Sequence, residues 1–304
     1  MDATIGAVPE LPEVETIRCQ LEPLLVGRVV TGGWAFDSPK FTDAPEARGH
    51  RIDTLRRRGK YLLADLRPVG PGRDAVGGGR EAVGGGPALA TGGRDTSVRE
   101  LVVHLGMTGR LAVVGTDHVE TGHPHLRARW DLDDGCTLTF HDARRFGRIA
   151  VVPAGDHRSL PTLADLGPEP LADDFTPDVL HRGMQRGRRH LKTVLLGQRV
   201  VAGVGNIYAD EALWLAGVSP LARRLGTARA VALHGAIVEV LRQGLADGGT
   251  TLRDYRDASG GEGSHQDRLA CYGRAGRPCL RCGTVMVHRV VDGRGTTWCR
   301  CCQH

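Results

Sequence analysis

Pro9-Glu10-Leu11-Pro12-Glu13-Val14-Glu15-Thr16 is the stretch from which the rest of this 304-residue chain is read. It sets proline and acidic residues at the head of an amphipathic segment. Proline suits the first turn of a helix, and acidic groups there complement the helix dipole. Leu11, Val14, Ile17, Leu21, Leu24 and Leu25 follow at helical spacing, so a helix is predicted over 11–25, ended by Gly27. Taken alone, this is an ordinary acidic helix start. What lies downstream gives it a different meaning.

Beyond Gly27 the period shortens to two. Short runs at 28–36, 50–56, 61–66, 100–105, 110–114, 127–132, 137–141 and 149–152 are broken by Gly, Pro and Asp, which predicts an antiparallel β-sandwich or barrel. Between two of them, residues 68–98 carry the near-repeat Arg73-Asp74-Ala75-Val76-Gly77-Gly78-Gly79 and Arg80-Glu81-Ala82-Val83-Gly84-Gly85-Gly86. A segment with so little apolar surface cannot offset its ordering entropy, and a disordered insertion in a hairpin loop is expected. After Pro153 comes a turn-rich connector over 163–171. Helical patterns follow at about 177–186, 189–197, 207–216 and 228–247. The expected division is an extension at 1–8, a β-sandwich domain at 9–155, a helical domain at 156–270 and a cysteine-rich tail at 271–304.

Composition bounds the function. Hydrophobic content of 40% supports packed cores, and the formal charge of +5 fits a polyanionic partner without demanding one. No apolar run of about 18 residues is present, so no membrane span is expected. The first residues lack the basic head and apolar stretch of a secretory signal, and a cytoplasmic monomer is expected. Five of the eight cysteines crowd the last 26 residues, unlike a disulfide framework. Cys279-x-x-Cys282 and Cys299-x-x-Cys302, 16 residues apart, have the spacing of a four-thiolate zinc ribbon. Four protein ligands leave no open coordination position, so one structural Zn²⁺ is expected, with Cys301 a spectator. Arg274, Arg277, Arg281, Arg289, Arg294 and Arg300 surround it against Asp292 alone, which suits nucleic acid. In Val201-Ala202-Gly203-Val204-Gly205-Asn206-Ile207, glycines ahead of a helix start let backbone N–H groups approach a phosphate, and Asn206 has the chemistry to cap that helix or donate to phosphate.

These motifs together resemble the formamidopyrimidine-DNA glycosylase family, the bacterial 8-oxoguanine repair enzymes. PELPEVET is similar to the family's amino-terminal signature, and GVGNIYADEALW (residues 203–214) to its helix–two-turn–helix motif. Tyr272-Gly273-Arg274 and Arg294-Gly295-Thr296-Thr297-Trp298-Cys299 are similar to its zinc finger. Arg57-Arg58-Gly59-Lys60, His104-Leu105-Gly106-Met107-Thr108-Gly109 and Asp142-Ala143-Arg144-Arg145-Phe146-Gly147 also match, in the family's order. The resemblance implies an α+β chain: a β-sandwich with a leading helix, then a helix–two-turn–helix domain ending in a zinc finger. It implies a bifunctional glycosylase/AP lyase of base excision repair acting on damaged duplex DNA through a Schiff base at the N-terminal proline.

Residue by residue, the resemblance makes the secondary amine of Pro9 the nucleophile. Glu10 moves protons at the sugar and base, Glu13 positions Pro9, and Lys60 stabilises phosphate charge. Met107, Arg144 and Phe146 fill the void left by the flipped base. Lys192, Asn206 and Arg294 hold the DNA backbone, and Cys279, Cys282, Cys299 and Cys302 bind zinc. Two departures bear on this. Met1–Val8 precede Pro9, and an amide nitrogen is not a nucleophile; a start at Val8, read from a valine codon as the initiator, is expected, with removal of the extension by a protease or a non-lyase relative as the alternatives. The loop Gly260–Gln266, expected to close over the base, lacks an aromatic residue. Two other readings stand beside this one: an endonuclease VIII-like glycosylase for oxidised pyrimidines, and a catalytically silent binder of damaged DNA with Pro9 blocked.

Overall fold

The computed structural model describes residues 8–69, 98–185, 187–253 and 255–304. Almost all of the Gly-rich segment expected at 68–98, and most of the extension before Pro9, lie outside the described residues.

The elements run α1 (Leu11–Leu25), β1 (Val30–Ala35), β2 (His50–Arg58), β3 (Tyr61–Pro68), β4 (Arg99–His104), β5 (Gly109–Gly115), β6 (Leu126–Leu132), β7 (Cys136–Asp142) and β8 (Arg148–Pro153), followed by α2 (Pro161–Ala164), α3 (Pro177–Met184), α4 (Leu191–Leu196), α5 (Asn206–Leu215) and α6 (Thr227–Ala246), then β9 (Val287–Val291) and β10 (Arg294–Trp298). The eight β runs expected from sequence each correspond to a strand. Their order in two antiparallel sheets is β1-β6-β7-β5 and β2-β3-β4-β8.

The inner faces of the sheets meet in one core. Ile52, Leu62, Leu66, Leu101 and Val103 come from one sheet, and Val30, Leu111, Trp130, Leu138 and Phe140 from the other. Val14, Ile17, Leu21 and Leu25 of α1 pack into the same core, each contributing about 1.5–3 kcal/mol by burial. Trp130 lies within it because its indole N–H finds the Ala44 carbonyl at 2.8 Å. Strand β3 is buried on both faces, since Tyr61 and Leu63 are covered by Leu160 and Leu163 at the short helix α2. The sequence places only turns in that stretch. Apolar residues arriving from a distant strand make it a lid.

A second core gathers Leu180, Met184, Leu191, Leu195, Ile207, Tyr208, Leu213, Leu233, Ile237 and Leu241 from the helices, and Leu11 joins it. Helix α1 thus stands with its first residue in the helical core and the rest in the sandwich. The junction is close: the Leu11 N–H donates to the Gly203 carbonyl at 3.1 Å. Gly203 has φ +79, and a Cβ there would strike the Leu11 side chain, so glycine is required on both counts. Strands β9 and β10 form a hairpin closed by Asp292 and Gly293, both at positive φ, as a two-residue turn demands. Among the described residues, no helix is long and apolar enough to cross a membrane.

Candidate active site

The α1–Gly203 contact brings the chain start against the head of α5. Free amides at that helix end need acceptors, and Glu10 supplies them. Its Oε2 accepts from Gly205 N at 2.6 Å, and its Oε1 from Ile207 N at 2.8 Å. Helix α5 is therefore capped by a carboxylate nearly two hundred positions earlier in the sequence, so the phosphate expected at these amides is displaced by one of the chain's own acids. Burial raises the Glu10 carboxyl above its usual range, opposed by the positive charge of Lys60 and these amides. Gly205 is the point of convergence: a Cβ there would lie 2.5 Å from both Glu10 Oε1 and Lys60 Nζ. Lys60 is 8% exposed, and desolvation lowers its pKa, countered by Glu10 and Glu13.

Glu13 lies one layer deeper. Its carboxylate accepts from Glu10 N at 2.8 Å, Thr250 N at 2.6 Å and the Tyr208 hydroxyl at 3.0 Å. Desolvation first, then the Glu10 charge, push it up to about 7. It positions the chain start and does not face the cleft.

That cleft, about 460 Å³, opens between the two cores. Val8, Glu10, Lys60, Met107, Phe146, Asn206 and Arg294 line it, and Pro9 is buried between Val8 and Glu10. The loops carrying Met107 and Phe146 stand back to back, because Gly106, at φ +67, lets the Phe146–Gly147 backbone lie where a Cβ would be. Phe146 is 49% exposed, with the Arg144 guanidinium over its ring at 4.8 Å. Arg144 does not line the cleft itself. The Asn206 carboxamide oxygen is buried without a hydrogen-bond partner among the described residues.

Lys192 corrects an expectation. The sequence reading sets it on the DNA backbone, yet it is 1% exposed. Its ammonium lies 2.7 Å from Asp210 Oδ1 and donates to the Gly295 carbonyl at 2.7 Å and to Thr296 Oγ1 at 3.0 Å. These contacts hold the buried ammonium inside the protein and tie the β9–β10 hairpin to α5, away from any phosphate outside. Burial favours the neutral form of each partner, Lys192 and Asp210, and their contact opposes it.

His104, Leu196, Gln198 and Tyr272 also line the cleft and were not singled out in the sequence. Burial and then Lys60 depress His104 to about 4, and its Nδ1 accepts from Gly106 N at 3.1 Å, so it is a neutral wall of the site. Gln198, at φ +55, holds the glycine turn by accepting from Gly203 N at 2.9 Å. His104 and Tyr272 stand inside matched motifs; the left-handed backbone of Gln198 has no local signal.

The four cysteines expected to bind metal are together: Cys279, Cys282, Cys299 and Cys302 place their sulfurs within 4.8 Å of one another. The Cys282–Cys299 and Cys279–Cys302 separations of 3.5 and 3.9 Å fit thiolates around one tetrahedral Zn²⁺ with bonds of about 2.3 Å. The cluster is consistent with a structural zinc finger. Cys301 is exposed and outside it.

Comparison with known proteins follows the same division. Residues 8–149 match the formamidopyrimidine-DNA glycosylase N-terminal domain, and residues 166–256 match that glycosylase's H2TH domain. A formamidopyrimidine-DNA glycosylase of Thermus thermophilus is 43% identical over 300 residues, covering 97% of this chain and 98% of the relative. One of Deinococcus radiodurans is 40% identical, covering 97% of each. Among solved structures, the MutM (Fpg) protein from Thermus thermophilus superposes with a TM-score of 0.80 at 41% identity, over 97% of this chain and 98% of that one. A Lactococcus lactis Fpg variant complexed with Fapy-dG-containing DNA gives 0.78 at 30% identity, over 97% and 100%.

Proposed function

This chain belongs to the formamidopyrimidine-DNA glycosylase family, and from that premise we infer that it excises 8-oxoguanine and formamidopyrimidines from duplex DNA and cuts the strand at the abasic site in base excision repair. The observation that carries the reading at this chain's own residues is the cleft on which Glu10, Lys60 and Gly205 converge, with Pro9 buried between its lining residues Val8 and Glu10. Relatives of the same fold have been solved with DNA carrying Fapy-dG and with DNA carrying carbocyclic 8-oxo-G.

In the mechanism proposed, the Pro9 secondary amine attacks C1′ of the damaged nucleotide and the bond to the base breaks. Glu10, its carboxyl raised by burial, passes a proton to the sugar as the ring opens. The cationic imine acidifies C2′; loss of that proton expels the 3′ phosphate, and a second elimination expels the 5′ phosphate. Hydrolysis then frees Pro9. Lys60 faces the negative charge that develops. Met107 and Phe146 enter the stack where the base has left, and Arg144, stacked on Phe146, pairs with the orphaned cytosine. Asn206 and Arg294 hold phosphates at the rim. The division of labour proposed is catalysis at 9–155, DNA binding at 156–270 and a zinc-braced fingertip at 271–304.

An intact Val8–Pro9 peptide bond forbids the first step, because its nitrogen lone pair is delocalised. The proposed mechanism therefore requires a chain whose first residue is Pro9. Incubation with 8-oxoguanine duplex and borohydride, followed by intact mass, tests this: the expected adduct sits on a chain lacking Met1–Val8. An adduct on a chain that retains them would overturn the role of Pro9. DNA binding with no adduct would favour the silent-binder reading.

A further inference from the structure

A second basic hollow, of about 480 Å³, lies between the start of α4 and the tip of the β9–β10 hairpin. Arg188, Arg189, His190, Thr193, Arg223 and Asp292 line it. None of them belongs to the cleft described above. Arg188 and Arg189 are exposed, and neither side chain is paired with an acid among the described residues. The one carboxylate is already committed: Asp292 Oδ2 accepts from Thr193 Oγ1 at 2.6 Å and lies 3.0 Å from His190 Nδ1. Arg223 braces the rim, donating to the Arg188 carbonyl and lying 3.2 Å from His190 Nε2. Three guanidinium groups thus share the hollow with one carboxylate, itself fixed by hydrogen bonds.

Its position relative to the cleft follows from shared elements. Leu196 at one end of α4 lines the cleft, and Thr193 and His190 toward the other end line the hollow. Six residues of helix span about 9 Å. Arg294 lines the cleft and Asp292 the hollow, separated only by the hairpin turn and so less than about 7 Å apart. At an axial rise of about 3.4 Å per nucleotide on one strand, that offset is two to three phosphates.

We propose that this hollow seats a backbone phosphate of the bound duplex two to three nucleotides from the one at Arg294, with Arg188 and Arg189 as its donors. The assignment rests on the DNA-repair reading above and extends its footprint beyond the lesion.

The test is the salt dependence of binding by the full chain to a long 8-oxoguanine duplex and to the same duplex undamaged. Each neutralised phosphate contributes about 0.9 to the slope of log K against log salt. The R188A/R189A double variant is expected to give a slope shallower by about 1 on both duplexes, and R188K/R189K to restore it. A slope equal to wild type in the alanine variant overturns the proposal, even if inorganic phosphate at millimolar concentration still perturbs these residues. On a duplex trimmed to end one nucleotide from the lesion on that side, wild type and variant are expected to coincide; a persisting difference also overturns it. Failure of the repair reading looks different: wild type would bind damaged and undamaged duplexes equally, with the slope comparison still legible.

Discussion

The Glu13 carboxylate touches Glu10 N, Thr250 N and the Tyr208 hydroxyl, so one side chain joins the chain start, α5 and the segment after α6. Burial holds its pKa near 7 in the folded protein against 4.5 for the free group. The native state therefore keeps a proton that the unfolded chain has released between those values. Unfolding free energy is expected to fall as pH rises from about 4.5 to 7, by about 3 kcal/mol from this group, and to be flat in its contribution outside that window. Urea titrations across pH 4.5–8 measure it, and Glu13→Gln is expected to flatten the slope. An unchanged slope in that variant would remove Glu13 as its source. Lys192 teaches the complementary lesson. Lys192→Met leaves Asp210 buried without its cation and is expected to cost about 3–5 kcal/mol in denaturant unfolding. The salt slope of DNA binding is expected to stay as in wild type, whereas a phosphate contact would have lowered it by about 1.

Helix α1 owes its function to where its two ends lie. Its apolar stripe was legible because burial of Val14, Ile17, Leu21 and Leu25 follows directly from their spacing. Its docking on Gly203, and the capping of α5 by Glu10, were not legible. No local rule relates a carboxylate to amides nearly two hundred residues away. The glycines of the 203–205 turn were visible as a turn, but their purpose is tertiary: Gly203 admits Leu11, and Gly205 admits Glu10 and Lys60. The zinc hairpin is the opposite case. Two CxxC pairs define their own site, and folding needed only to close the ribbon. The Trp214 indole N–H donates to Cys279 Sγ at 3.4 Å, with Arg281 over its ring at 4.2 Å, so the finger is wired to α5. Metal removal by a strong chelator is expected to change tryptophan fluorescence and to weaken duplex binding together. Fluorescence that changes while affinity holds would separate the finger from the DNA interface.

At the scale of the molecule, the sequence by itself determined the order of the eight sandwich strands and the longer helices, the two architectures and the zinc ligands, since periodicity, turn residues and thiol spacing act over a few residues. Motif resemblance added the family, and the comparisons agree with it. The tertiary structure alone decided which way charged groups face. It turned Lys192 inward onto Asp210, set Glu13 behind the cleft, and brought His104, Gln198 and Tyr272 to its wall. It also decided that a four-residue helix in a turn-rich connector would cover β3. The reason is one of range. A metal ribbon gathers its ligands from neighbours in sequence. A buried ion must find its partner wherever packing of two cores delivers one, and that is settled only when α1, α5 and the hairpin meet.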